Sequence, residues 1–97
     1  MSAEVSVVVP IYNEAGNLDA LHEELRAALD PLGLRFEIVY VDDGSSDESG
    51  AILDRIGAAD PHVTVVRLAR NYGQTAALAC GFDHSTGATV VTLDGDR

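Results

Sequence analysis

Lysine and tryptophan are absent from this 97-residue chain, and cysteine occurs once, at Cys80. Without lysine there is no Walker-type phosphate loop, and no Gly-x-Gly-x-x-Gly run marks a dinucleotide site. A single cysteine excludes an internal disulfide and points to a reducing compartment. No apolar run approaches the ~20 residues of a membrane span. Met1-Ser2-Ala3-Glu4 has no basic stretch of the kind that opens a signal peptide. The segment therefore reads as soluble and cytoplasmic. Basic charge is scarce: six arginines face sixteen acidic residues, for a formal net charge of -10. That excludes a basic stripe for nucleic acid and a polybasic attachment to anionic lipid. An acidic protein that binds a phosphorylated ligand needs a metal or local cations to offset the repulsion.

What is present suits one small domain, with 46% hydrophobic residues to build its core. Val5 to Val9 is a short β-branched run, the pattern of a strand covered on both faces, and Pro10 is expected to stop it. Asn17 is a candidate N-cap for a helix over Leu18–Leu29, where Leu18, Leu21, Leu25, Ala28 and Leu29 share one face. Pro31 and Gly33 end that helix. Phe36 to Val41 is a second strand. Ser45 and Glu48 have capping-box spacing for a helix from about Ser46 to Ala59. Val63 to Leu68 is a third strand, Gln74 to His84 an alanine-rich helix, and Ala88 to Leu93 a fourth strand. The order βαβαβαβ with short connections predicts an α/β fold, a parallel sheet with right-handed crossovers.

Every polar loop in this reading follows a strand: Pro10 to Gly16, Asp42 to Asp47, Arg70 to Gly73, and Asp94 to Asp96. They are expected to share one rim of the sheet, where open α/β folds gather their ligands. The last of them carries two carboxylates one residue apart. Alternate residues of an extended chain project to the same side, so Asp94 and Asp96 can converge on one point. Hard oxygen ligands of this kind suit Mg²⁺ or Mn²⁺, which usually bridge to phosphate oxygens. Gly95 leaves room for close approach of a ligand.

Each residue also has a plainer reading. Asp42-Asp43-Gly44 is good turn chemistry, although a carboxylate there could equally accept from a base N–H or a ribose hydroxyl. Tyr12, Asn13 and Glu14 suit a hydrogen-bonded loop in which Asn13 takes an unusual backbone angle. The alternative puts Tyr12 against a base or ribose and Glu14 on a hydroxyl. Arg70 could pair with a surface acid or contact phosphate as a bidentate fork. His22, His62 and His84 share no spacing and read as structural or solvated. Cys80 reads as a small core residue.

Four pieces then combine, in order: Val8-Val9-Pro10-Ile11-Tyr12-Asn13-Glu14, Val41-Asp42-Asp43-Gly44-Ser45-Ser46-Asp47, Arg70-Asn71-Tyr72-Gly73 and Leu93-Asp94-Gly95-Asp96. Together they resemble a family-2 glycosyltransferase of the GT-A fold, most like the branch that moves sugars to polyprenyl phosphate. The resemblance implies a three-layer α/β/α fold with strand order 3-2-1-4, and makes residues 1–97 its nucleotide-sugar-binding part. It implies that Pro10, Tyr12 and Glu14 lie around the nucleotide, and that Asp42 or Asp43 contacts base or ribose. Asp94 and Asp96 would be the catalytic Asp-x-Asp element, Asp96 on the metal and Asp94 nearer ribose and metal. The donor would be a UDP- or GDP-sugar and the acceptor a lipid phosphate at the membrane surface. The parent protein would then be membrane-associated on the cytoplasmic face.

Relatives of this kind continue past the Asp-x-Asp element, so the chain is expected to be the amino-terminal part of such a domain, inactive alone. Its fourth strand would leave an apolar edge through which it could self-associate. Two other readings compete: an inert nucleotide-binding fragment, and a receiver-like Mg²⁺-binding regulatory module. The latter wants an acid pair after its first strand and a later lysine; this chain offers Pro10 and no lysine.

Overall fold

The computed structural model describes residues 3–94. Its elements are β1 (Val5–Ile11), α1 (Leu18–Leu29), a 3₁₀ turn (Asp30–Leu32), β2 (Phe36–Asp42), α2 (Ser49–Ala59), β3 (Val63–Arg67), α3 (Gln74–His84) and β4 (Thr89–Thr92). The strands form one parallel sheet in the order β3-β2-β1-β4. This order is incompatible with the flavodoxin-like arrangement of receivers, in which the third strand lies beside the first.

Alternation along the strands sorts the core into two layers. Val7, Val9, Ile11, Ile38 and Tyr40 pack with Leu18, Leu21 and Leu25 of α1 and with Leu53 and Ile56 of α2. Val8, Val39 and Val41 face the other way, against Ala77 of α3. Right-handed crossovers explain this division. The chain moves from β1 to β2 to β3 in one direction, which keeps α1 and α2 on one face. It then returns past β1 to β4, which puts α3 on the opposite face. The result is the expected three-layer α/β/α arrangement, with its switch point between β1 and β4.

Four local expectations are corrected. Pro10 does not stop β1, which runs on to Ile11. Val8 bonds toward β4, its carbonyl accepting from Leu93 N–H, and Pro10 faces that same side beyond the last β1–β4 pair, Val8 with Thr92. The proline therefore removes no ladder bond. Asn17 stands at the start of α1 without capping it, because its amide donates to Glu14 Oε2 at 2.8 Å. The capping box of Ser45 and Glu48 does not form, and α2 begins at Ser49 rather than near Ser46. Ser45 Oγ is engaged instead by Asn13 N–H of the neighbouring loop. Finally, β3 and β4 are shorter than expected, since Leu68 and Leu93 each make only the closing backbone bond, to Asp42 and Val8.

Two side-chain networks hold the layers in place. Glu37 of β2 accepts from Ser6 Oγ, Thr86 N–H and Thr86 Oγ1, while Gly87 N–H donates to Ser6 Oγ, so the entry to β4 is tied to β1 and β2. Burial raises the Glu37 pKa, but these hydrogen bonds outweigh it and hold the carboxyl below its usual range. On the α1/α2 face, Asp60 is gripped by Arg26, by His22 and by the backbone N–H and ring of His62. His22 also meets the hydroxyl of fully buried Tyr40 at 2.8 Å. Two histidines with no sequence relation thus share one carboxylate.

Candidate functional site

The carboxyl ends of β1 and β4 flank a cleft of about 320 Å³. It is lined by Pro10 and Ile11 at the end of β1, Tyr12 and Glu14 in the loop that follows, Asp43 after β2, Asn71, Gly73 and Gln74 before and within α3, and Asp94 after β4. Four loops far apart in sequence meet here because parallel strands all end on the same rim. The cleft sits at the point where strand order reverses, the usual ligand position in such sheets.

The two adjacent acids take different paths. Ile38 and Tyr40 face α1 and α2 while Val39 and Val41 face α3, so alternation sends Asp42 to the first side and Asp43 to the second. Asp42 is 2% exposed, accepts from Ser45 N–H at 2.9 Å and lies 3.5 Å from Arg67 Nε. It is not among the described lining residues. Asp43 lines the cleft, and its carboxylate organises the wall opposite: Oδ1 accepts from Tyr72 N–H at 2.8 Å, and Oδ2 from Gly73 N–H and Asn71 Nδ2, each at 3.0 Å. Gly44 follows at φ +71°, where a side chain would strike the Arg70–Asn71 backbone.

Tyr12 and Glu14 flank Asn13, whose φ of 53° is the expected left-handed angle. Glu14 is tied to Ser49 Oγ through its N–H and to Asn17 through its carboxylate. Arg70 stands beside the cleft rather than in its described lining, with its guanidinium 4.9 Å from the centroid of the Tyr72 ring. Arg26, Arg35, Arg55 and Arg67 pair with carboxylates elsewhere. Of the terminal acid pair, Asp94 faces the cleft; Gly95 and Asp96 lie outside the described residues. Sequence reasoning missed the roles of Asn13, Ser49 and Asn71 as loop ties. Asparagine and serine in loops are too common to signal which backbone groups they will meet.

Three carboxylate residues line the cleft, Glu14, Asp43 and Asp94, and their oxygens are hard donors. Among the described residues no three His, Cys, Asp or Glu side chains cluster tightly enough to cage an ion. Mg²⁺ and Mn²⁺ sites of the phosphate-binding type do not need such a cage, since one or two carboxylates and the ligand's phosphates suffice. The donor set therefore fits an ion of this class. No helix among the described residues is long and apolar enough to cross a membrane.

Residues 6–97 match the profile of glycosyl transferase family 2. The chain belongs to that family. Among curated relatives, it is 47% identical over 94 residues to the undecaprenyl-phosphate 4-deoxy-4-formamido-L-arabinose transferase of Klebsiella pneumoniae, covering 96% of this chain and 29% of that protein. The enzyme of the same name from an Enterobacter species is 49% identical over the same share of each chain. The fold is shared with the Pyrobaculum calidifontis mannosyltransferase PcManGT in complex with GDP-Man and Mn²⁺: TM-score 0.80, 28% identity, 99% of this chain and 28% of that one. TarS of S. aureus in complex with UDP-GlcNAc superposes with a TM-score of 0.77 at 26% identity, covering 99% of this chain and 27% of that one. The chain thus spans less than a third of the length of the curated relatives it matches.

Proposed function

We propose that this chain is the nucleotide-sugar-binding part, residues 1–97, of an inverting, metal-dependent glycosyltransferase that moves a sugar from a UDP- or GDP-sugar to a polyprenyl phosphate. The observation that carries the reading is the convergence of Tyr12, Glu14, Asp43 and Asp94 on one cleft at the β1/β4 switch point. Relatives named for undecaprenyl phosphate, and fold neighbours holding GDP-Man or UDP-GlcNAc, support the substrate classes.

In this reading Pro10 and Tyr12 form an apolar wall for the base and ribose, and Glu14 accepts from a hydroxyl. Asp43 holds the α3 side of the cleft and uses the remaining lone pair on Oδ1 for a base N–H or a ribose hydroxyl. Asp42 acts from behind, fixing the Ser45 turn. Arg70, in the loop that Asp43 holds, turns from Tyr72 to a donor phosphate. Asp94 and Asp96 would hold Mg²⁺ or Mn²⁺, and such an ion would supply positive charge to offset that of the donor's diphosphate. The acceptor phosphate is already ionised and attacks opposite the departing nucleotide without a base from this segment. A lipid acceptor puts the parent protein at the cytoplasmic membrane face.

Titration calorimetry with UDP and GDP, with and without Mn²⁺, tests this. Binding should strengthen with Mn²⁺, and Asp94→Asn and Asp96→Ala should remove the metal dependence. Affinity indifferent to both metal and substitutions would end the reading.

A further inference from the structure

Tyr12 and Glu14 reach the cleft from a loop with no regular structure between β1 and α1, so something must fix them there. The tie is the residue between them. Asn13 Oδ1 accepts from Ser46 N–H at 2.8 Å, from Asp47 N–H at 3.2 Å and from Ser46 Oγ at 3.4 Å. Its own N–H donates to Ser45 Oγ at 3.0 Å. Just after this contact the β1–α1 loop is tied twice more, by Glu14 N–H to Ser49 Oγ at the start of α2 at 2.9 Å and by Ala15 N–H to Asp47 Oδ2 at 3.2 Å. Asp47 is itself held by Ser49 N–H at 2.8 Å.

Two features show that Asn13 is more than one loop bond among many. Its φ of 53° turns the chain so that its own side chain points to the β2–α2 loop while its neighbours in sequence point to the cleft. Asparagine tolerates that angle better than other residues with a Cβ, and its side-chain oxygen can accept from two successive backbone N–H groups. Asn13 is itself exposed and is not among the described lining residues, so a direct ligand contact does not account for it.

We infer that Asn13 is a positioning residue for the nucleotide site: by clasping the Ser45–Asp47 turn it holds Tyr12 and Glu14 in place for the ligand. This rests on the nucleotide-binding reading above. Asn13 and Asp43 then work in series. Asn13 ties the β1 loop to the β2 loop, and Asp43 ties the β2 loop to the Asn71–Gly73 loop, so three walls of the cleft are set before a ligand arrives. A site whose walls must be ordered on binding loses affinity by the cost of that ordering.

Three substitutions separate the backbone angle from the side-chain clasp. Asn13→Gly keeps the left-handed angle and loses the oxygen; Asn13→Ala loses both; Asn13→Asp keeps an acceptor in a residue that tolerates the angle. Amide hydrogen exchange in the ligand-free protein should speed up at Ser46 and Asp47 in the first two and stay near wild type in the third. UDP or GDP affinity measured with Mn²⁺ should fall roughly tenfold in Asn13→Gly and Asn13→Ala and be largely restored in Asn13→Asp. Ile56→Val, a core change far from the rim, controls for lost stability and should leave affinity unchanged. Wild-type affinity in Asn13→Gly with faster exchange at Ser46 would overturn the positioning role while sparing the nucleotide reading. No binding of either nucleotide by the wild-type protein would overturn both.

Discussion

Gly44 and Arg70 meet backbone to backbone: a Cβ built on Gly44 would lie 2.2 Å from the carbonyl carbon of Arg70 and 2.7 Å from its Cα. No side chain fits in that gap, and the contact sets the distance between the β2 and β3 loops on the rim. Gly44 also has φ +71°, an angle that costs an L-residue about 1–2 kcal/mol before any clash. Gly44→Ala should therefore lower the unfolding free energy by about 2 kcal/mol or more, and chemical denaturation measures it. A change below 0.5 kcal/mol, the scale of an ordinary surface substitution, would mean the loops part freely.

Asp43 serves the same junction through hydrogen bonds. Asp43→Ala leaves Tyr72 N–H and Gly73 N–H without their acceptor just ahead of α3. The expected loss is about 1–3 kcal/mol, the range for removing a charged partner from part-buried donors. Amide exchange should localise the damage to residues 71–75. Uniform acceleration across the whole sheet would instead mean that Asp43 supports the fold globally.

Gly81 of α3 lies against Val8 of β1, where a Cβ would come within 2.3 Å of Val8 Cγ1. Gly81→Ala should cost about 1–3 kcal/mol by overpacking. Val8→Ala removes the offending methyls but opens space in a fully buried position. The double variant should be more stable than the sum of the two single losses predicts. Simple additivity in thermal melts would rule out the steric account.

Asp60 links stability to pH. Burial pushes its pKa up, but the His62 N–H, Arg26 and His22 together outweigh that and hold the carboxyl far below the usual carboxylate range. A carboxyl depressed in the folded state stabilises the fold above its unfolded pKa of ~3.9, and that stability is lost as pH falls toward the folded value. Asp60→Asn should cost on the order of 2 kcal/mol at pH 7, a gap that stays flat down to about pH 5 and narrows below pH 4. Glu37 and Asp47 shift in the same direction and add to acid sensitivity in both proteins, so the difference between the two isolates Asp60. A gap that widens in acid would have the wrong sign.

Much of this architecture could be read along the chain. Short β-branched runs alternating with helical periodicity dictate a parallel sheet. Because parallel strands point one way, the polar loops after Ile11, Asp42, Arg67 and Thr92 had to share a rim. The left-handed angle at Asn13 was equally legible, since few other side chains tolerate it. Chain order could not say which partner a loop side chain would find. Ser45 and Glu48 have the spacing of a capping box, yet Ser45 is taken by Asn13, which lies 32 residues away. Asn17 likewise turns to Glu14. Asp42 and Asp43 are neighbours with the same chemistry, and only the position of α3 on the far face puts Asp43 in the cleft wall and Asp42 behind it. Local pattern fixes elements because hydrophobic period and backbone sterics act over a few residues. Partnerships among polar side chains depend on distances that exist only after the sheet has assembled.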